Sequence, residues 1–202
     1  MRLAPLAAAL LLAAAGARAE LAAELAALLD AADAGSWDFV QQVTSPRGKV
    51  ADSKGTLAYQ RPDRFRLEYA APAPLLVVGD GAAVWVYDAE LAQAVLTPQA
   101  ELREGRGLLD VLAGDGVAER FGLAAQEGGA DGLRWLLLTP PEPAAAGFEL
   151  AALGFDGEGR MVKTRIDDLL GNRIEAHFAA NGAAVGPALF AFEPPDGVEI
   201  ID

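Results

Sequence analysis

From Trp37 onward the chain is a succession of short runs in which apolar and polar residues alternate, each closed by glycine, proline, asparagine or aspartate. Alternation with a period of two marks a strand that buries one face. Regular punctuation by turn residues then restricts the chain to a large antiparallel sheet or barrel. In the first run Trp37, Phe39, Gln41 and Val43 alternate with Asp38, Val40 and Gln42. Strands are next expected at Val50–Gln60, Arg64–Ala70, Leu75–Gly79, Ala82–Asp88 and Gln93–Thr97. After a helical interval they resume at Gly122–Gln126, Leu133–Leu138, Phe148–Phe155, Met161–Asp168, Arg173–Ala180 and Ala188–Phe192. Asp80-Gly81 and Asn181-Gly182 are turn signals, and Arg61-Pro62-Asp63 joins two strands because proline cannot sit in a central ladder. Pro140–Gly147 reads as a loop too short to separate domains.

Two helices accompany the strands. Leu21, Leu25, Leu28 and Leu29 fall on one face of a helix from Glu20 to about Asp33, with Gly35 as its stop. Between the two sets of strands, Leu102, Leu108, Leu109 and Leu112 predict a second helix over Glu101–Gly114. A sheet of about ten or eleven strands must twist and curl. Two short helices, each about 10 Å wide, leave much of its inner face to large side chains or to a guest. A fully packed core and an apolar cavity under a helical lid are both compatible with this pattern.

Residues 1–19 read as an export signal: Arg2, an apolar run from Leu3 to Ala15, then Ala17-Arg18-Ala19 as the cleavage site. A run of about 13 apolar residues is shorter than the roughly 20 needed to span a bilayer. The mature chain is therefore expected to be one domain, residues 20–202, outside the cytoplasm. With 16 Lys+Arg against 29 Asp+Glu the net charge is -13, the wrong sign for coating phosphates, so no nucleic-acid partner is expected.

Enzymatic constellations are missing from the sequence, and neither a cofactor nor a metal is expected. There is no cysteine and a single histidine, His177, in an alternating strand where a structural or surface role is the plain expectation. No serine stands in Gly-x-Ser-x-Gly, and no phosphate-binding glycine loop occurs. Asp167 and Asp168 are adjacent on a strand, so they point to opposite faces and cannot converge on one bond.

The run from Gly55 through Tyr69, with Leu76-Val-Val-Gly-Asp-Gly81 and Val84-Trp-Val-Tyr-Asp88, resembles the periplasmic outer-membrane lipoprotein carrier (LolA) family. Phe155-Asp-Gly-Glu-Gly159 leading to Asp168 and Gly171-Asn172 is similar to that family, as is the closing Phe190-Ala-Phe-Glu-Pro-Pro-Asp-Gly-Val198. The resemblance implies an incomplete antiparallel barrel closed by a short helical lid, a monomer that holds lipoprotein acyl chains. It also implies two partners, an ATP-driven inner-membrane complex that releases lipoproteins and an outer-membrane receptor that accepts them. The receptor is itself lipid-anchored through a cysteine, which this sequence lacks. The family's arginine, ascribed to holding the lid shut through lid backbone, falls on Arg61, and its aromatic near the cavity mouth on Phe65.

Parity along the strands gives these expectations a geometry. Phe65, Leu67 and Tyr69 share one face while Arg64, Arg66 and Glu68 share the other; Leu57, Tyr59 and Arg61 are likewise in phase. Arg61 is then either a surface residue at a strand end or a cation aimed into an apolar hollow, where it needs partners such as the orphan carbonyls of a helix end. Val84-Trp-Val-Tyr87 is apolar on both faces, and Trp85 and Tyr87 are taken as inward. The expected lipid-contacting set is Leu57, Tyr59, Phe65, Leu67, Tyr69, Leu76, Val78, Trp85 and Tyr87. The expected lid comprises Leu21, Leu25, Leu28, Leu29, Leu108, Leu109 and Leu112. A carrier or sensor of another periplasmic lipid, whether glycolipid, lipopeptide or pigment, would use the same wall. N-terminal sequencing of the exported protein is expected to begin at Glu20; retention of Arg2 would show that the leader stays attached.

Overall fold

The computed structural model of the chain describes residues 4–99, 111, 116–127 and 129–201. A helix, α1 (Ala4–Asp30), precedes six strands: β1 (Ala34–Thr44), β2 (Val50–Gln60), β3 (Arg64–Ala71), β4 (Leu75–Asp80), β5 (Ala83–Asp88) and β6 (Gln93–Pro98). A single-turn helix, α2 (Val117–Arg120), leads into β7 (Gly122–Gln126) and β8 (Arg134–Thr139), and another, α3 (Pro143–Ala146), into β9 (Phe148–Phe155), β10 (Met161–Asp168) and β11 (Arg173–Ala180). A 3-10 turn at Pro187–Phe190 and a short strand, β12 (Glu199–Ile201), complete the order.

All the strands belong to one sheet, in the order β12-β6-β5-β4-β3-β2-β1-β11-β10-β9-β8-β7. Every pairing is antiparallel except β12 with β6, which is parallel, and every antiparallel neighbour but the β1–β11 pair is consecutive in the chain. The described residues thus form a mainly β protein of twelve strands with β7 and β12 at the sheet's two edges, one or two more strands than expected.

The structure departs locally from the sequence reading. Ala188–Phe192 is not a strand: Pro187 opens a 3-10 turn, and the chain pairs again only at β12. α1 ends at Asp30, before Gly35, which lies inside β1 with the ring of Trp37 folded over it; a Cβ at Gly35 would clash with that ring. Leu108, Leu109 and Leu112 lie outside the described residues, whereas Val111 between them is helical and fully buried. Pro140–Gly147 contains the turn of α3 and otherwise connects β8 to β9 directly.

The register sorts the side chains into two layers. Val86, Val77, Leu67, Leu57 and Trp37 stand opposite one another across β5, β4, β3, β2 and β1, and form part of the inner row. The next row, Tyr87, Leu76, Glu68 and Thr56, faces outward, as do Trp85, Val78, Arg66 and Ala58. Leu76, Val78, Trp85 and Tyr87 therefore lie on the outer face, beside the Arg66–Glu68 ion pair, and not on the inner face expected for them. That outer apolar patch is covered by the C-terminal segment. The 3-10 turn packs on β3 and β4, and the Phe192 ring sits 5.7 Å from Trp85 and 5.4 Å from Tyr87.

Phe190, 1% exposed, anchors this second, smaller apolar layer. Phe190→Ala is expected to cost about 3–5 kcal/mol, the usual range for emptying a buried phenylalanine site. Urea unfolding checks this, and a loss below about 1 kcal/mol would mean that the C-terminal segment contributes little to the fold.

Candidate functional site

The inner face carries the feature the sequence left open. Aromatic and branched side chains from β1, β2, β3, β10 and β11 converge on it, but they do not fill it. One hollow of about 250 Å³ is bounded by Phe39, Leu57, Leu67, Tyr69, Phe148, Ile174 and Phe178, with Gln41, Thr164 and Asp168 as its polar members. A larger one, about 840 Å³, lies beneath the end of α1 among Leu28, Leu29, Trp37, Tyr59, Phe155, Met161 and Phe178. Phe178 lines both, so one ring stands between the two compartments. A third hollow, about 490 Å³, is on the opposite face around Val40, Lys54 and His177, which places the single histidine outside the apolar interior.

α1 closes the inner face by packing on β7 and β8. Its buried stripe is Ala22, Leu25, Ala26 and Leu29, the i, i+3, i+4, i+7 set of one face. Leu21 packs at the flank, and Leu28 is 38% exposed at the edge of the 840 Å³ hollow, not under the helix as expected. The two alanines recur one turn apart in the stripe, where small side chains let a helix lie close to the sheet.

The end of α1 is held by β2. The last carbonyls of a helix lack intrahelical partners and carry partial negative charge. Arg61 Nη2 donates to the Leu29 carbonyl at 3.1 Å, and Arg61 Nε to the Ala32 carbonyl at 3.1 Å. Nη1 stands 3.8 Å from the Asp30 carboxylate. The Tyr59 hydroxyl donates to the same Ala32 carbonyl at 3.0 Å, and the Arg61 backbone N–H to the Asp33 carbonyl at 2.8 Å. The Arg61 side chain is 6% exposed, a buried cation whose partners are backbone dipoles at a helix end. Burial pushes the Tyr59 phenol above its ordinary 10, against the opposing pull of the Arg61 guanidinium; burial likewise raises Tyr69, whose hydroxyl is also bonded to Gln41.

Of the inner positions expected from sequence, Leu57, Tyr59 and Phe65 are buried, and Leu67 and Tyr69 line the smaller hollow. Phe65 lies against the backbone of Gly79, where a Cβ would meet its ring. The residues missing from that expectation are Phe39, Phe178, Phe148 and Ile174. The alternation Ile174, Ala176, Phe178 was a usable signal, since it repeats the parity that exposed Leu57 and Leu67. Asp168 belongs to a turn: it accepts from the backbone N–H groups of Leu170 and Asn172 and from the Asn172 amide. Although burial pushes its carboxyl up, these bonds hold it below the usual carboxylate range. Asp167 pairs with Arg173 at 2.8 Å. Among the described residues no cluster of histidine and carboxylates could hold a metal.

Known proteins are similar to this chain in sequence and in fold. The family model for outer membrane lipoprotein carrier protein LolA matches residues 31–193. The outer-membrane lipoprotein carrier protein of Chromobacterium violaceum is 35% identical over 190 residues, 93% of this chain and 90% of the relative. That of Xanthomonas oryzae pv. oryzae (strain MAFF 311018) is 32% identical over 166 residues, 81% of this chain and 79% of the relative. Among solved structures, an uncharacterized conserved protein from Thermus thermophilus shares the fold, with a TM-score of 0.54 at 14% identity over 90% of this chain and 96% of that one.

Arg61→Leu removes charge-assisted bonds worth about 1.5–3 kcal/mol each from a helix end, while the apolar stem keeps the site packed. Amide exchange of residues 27–33 is expected to rise at least about tenfold, with β9–β11 unchanged. Equal protection in the variant and the parent would mean that Arg61 does not hold α1.

Proposed function

Because this chain belongs to the outer membrane lipoprotein carrier (LolA) family, we propose that it carries lipoproteins through the periplasm with their acyl chains in the hollow beneath α1. The observation that carries this reading is the large hollow on the inner face beneath the end of a helix that Arg61 and Tyr59 tie down, with a second, smaller apolar hollow sharing Phe178 with it. In this reading Leu57, Tyr59, Phe65, Leu67 and Tyr69 contact the guest, joined by Phe39 and Phe178. α1 is the lid, Arg61 its latch, and the protein acts by binding with no catalytic step.

Energetics favour a lid that competes with the guest. Each buried CH2 is worth about 0.8 kcal/mol, so full enclosure of one long acyl chain releases on the order of 10 kcal/mol. A site left empty between rounds would hold such a guest too long to hand it on. When the buried stripe of α1 occupies part of the same surface, lid displacement offsets guest burial and release becomes possible. Leu25 and Leu29 are the side chains that would exchange places with acyl chain.

The remaining assignments follow from the same role. Residues 1–19 would be removed on export, leaving the acidic domain 20–202. No helix among the described residues is long and apolar enough to cross a membrane. A carrier without a nucleotide site needs an energised donor, here an ATP-driven inner-membrane complex, and an outer-membrane acceptor. The lack of a cysteine for a thioether-linked anchor favours the diffusing carrier over the anchored acceptor.

Purification of the protein from the periplasm, followed by mass spectrometry of what copurifies, tests the assignment. Triacylated lipoprotein is the expected guest. Recovery of free glycolipid, lipopeptide or pigment with no lipoprotein would overturn it in favour of another lipid cargo.

A further inference from the structure

The lid is held at two places of unequal strength. At its C-terminal end α1 continues into β1, and the Arg61 bonds lock that joint in a nearly water-free site. The residues around Glu24 have no such joint once the leader is removed. They are held by the packing of the Ala22–Leu29 stripe and by an ion pair from the far wall: Arg134 Nη1 donates to Glu24 Oε1 at 2.8 Å. Arg134 is the first residue of β8, and its register opposite Phe155 sets it on the inner side, facing α1. The pair lies near the lip of the larger hollow. A Cβ at Gly159 would stand 3.2 Å from Leu28 and 3.9 Å from Arg134 Nη2.

This pin differs in kind from Arg61. Arg134 and Glu24 are 25% and 55% exposed, so their attraction is screened by salt and is modest. Arg134 Nε is buried with no hydrogen-bond partner, so the guanidinium is only partly satisfied while it holds Glu24. Arg61 and Arg134 stand on β2 and β8, with β1, β11, β10 and β9 between them in the sheet, so α1 spans the hollow as a chord with a firm end and a weak end.

We infer that Arg134 is a positioning residue for cargo uptake: its ion pair with Glu24 closes the free end of the lid, and the lid opens by swinging that end off β8 about the joint held by Arg61. The inference rests on the carrier reading for its purpose and on removal of residues 1–19 for the free end. Opening from this end uncovers Ala22 and Leu25 before Leu29, so an acyl chain would enter there first.

Hydrogen exchange on cargo-free protein purified from the periplasm tests this at salt concentrations from 0.01 to 1 M, over which the Debye length falls from about 30 to 3 Å. In the parent, exchange of residues 20–26 is expected to rise about two- to fivefold with salt, the worth of an exposed ion pair, while residues 27–33 stay protected. Arg134→Gln and Glu24→Gln should each give the faster exchange already at low salt and remove the salt dependence. Arg134→Lys, and Glu24→Arg combined with Arg134→Glu, should restore protection. Uptake of a synthetic triacylated lipopeptide should quicken in the Gln variants by a similar factor. Unchanged exchange at residues 20–26 in Arg134→Gln, or opening that begins at residues 27–33, would overturn the inference. So would a uniform loss of protection across β7–β11, which would make Arg134 merely structural. If the exchange pattern holds but no variant takes up the lipopeptide, the lid assignment stands and the cargo assignment falls.

Discussion

A curled sheet has an inner face too wide for its own side chains to fill, and the period-two geometry of a strand decides which residues must confront that shortage. Here Phe39, Leu57, Leu67, Tyr69 and Phe178 face inward around the smaller compartment, and Trp37, Tyr59, Phe155 and Phe178 around the larger. The helix above covers the larger compartment without filling it, because small residues, Ala22 and Ala26, alternate with Leu25 and Leu29 along its buried stripe. Larger residues there would lift the helix off β7 and β8. The same smallness that permits close packing keeps the helix displaceable.

The second consequence is a need for polar groups at the end of the lid. A helix end buried on an apolar hollow leaves carbonyls without partners, and an arginine at the end of β2 supplies several donors in one planar group. Tyr59, two residues earlier on the same face of β2, adds a further donor to the Ala32 carbonyl. Its ring stacks on Trp37 at 5.4 Å, so the latch and the hydrophobic wall are built from the same side chains. On the other wall the single ion pair between Arg134 and Glu24 stays wet enough to yield. The function proposed for the chain needs both kinds of contact, one that keeps the lid attached and one that lets it move.

Much of this was legible along the chain. Strands β2, β3, β9, β10 and β11 lie within a residue of where alternation and turn chemistry put them, because each has one apolar face and a proline- or glycine-bearing turn at its end. Arg61 was legible as a cation in phase with Leu57 and Tyr59. β4 and β5 were harder. Leu76, Val77 and Val78, and Val84 through Tyr87, are apolar at consecutive positions, so parity names two candidate faces and selects neither. Large aromatics make Trp85 and Tyr87 attractive as cavity walls, yet Val77 and Val86 pack on the core side and the aromatics face out. The cause lies more than a hundred residues away, in a C-terminal segment that brings Phe190 and Phe192 onto the back of the sheet.

By itself the sequence determined an acidic, cysteine-free, mainly β chain with a leucine-striped helix ahead of the sheet and no cluster of catalytic groups. Those properties are local or additive, carried by composition, period and turn residues. Tertiary structure alone decided that both faces of β4 and β5 are apolar because both are covered. It also decided that α1 ends where Arg61 takes its carbonyls and not at Gly35, and that Glu24 meets Arg134 at a separation of 110 positions. Such facts depend on which surfaces meet once the sheet has curled, and side-chain alternation records only that a residue faces one side or the other, never what waits there.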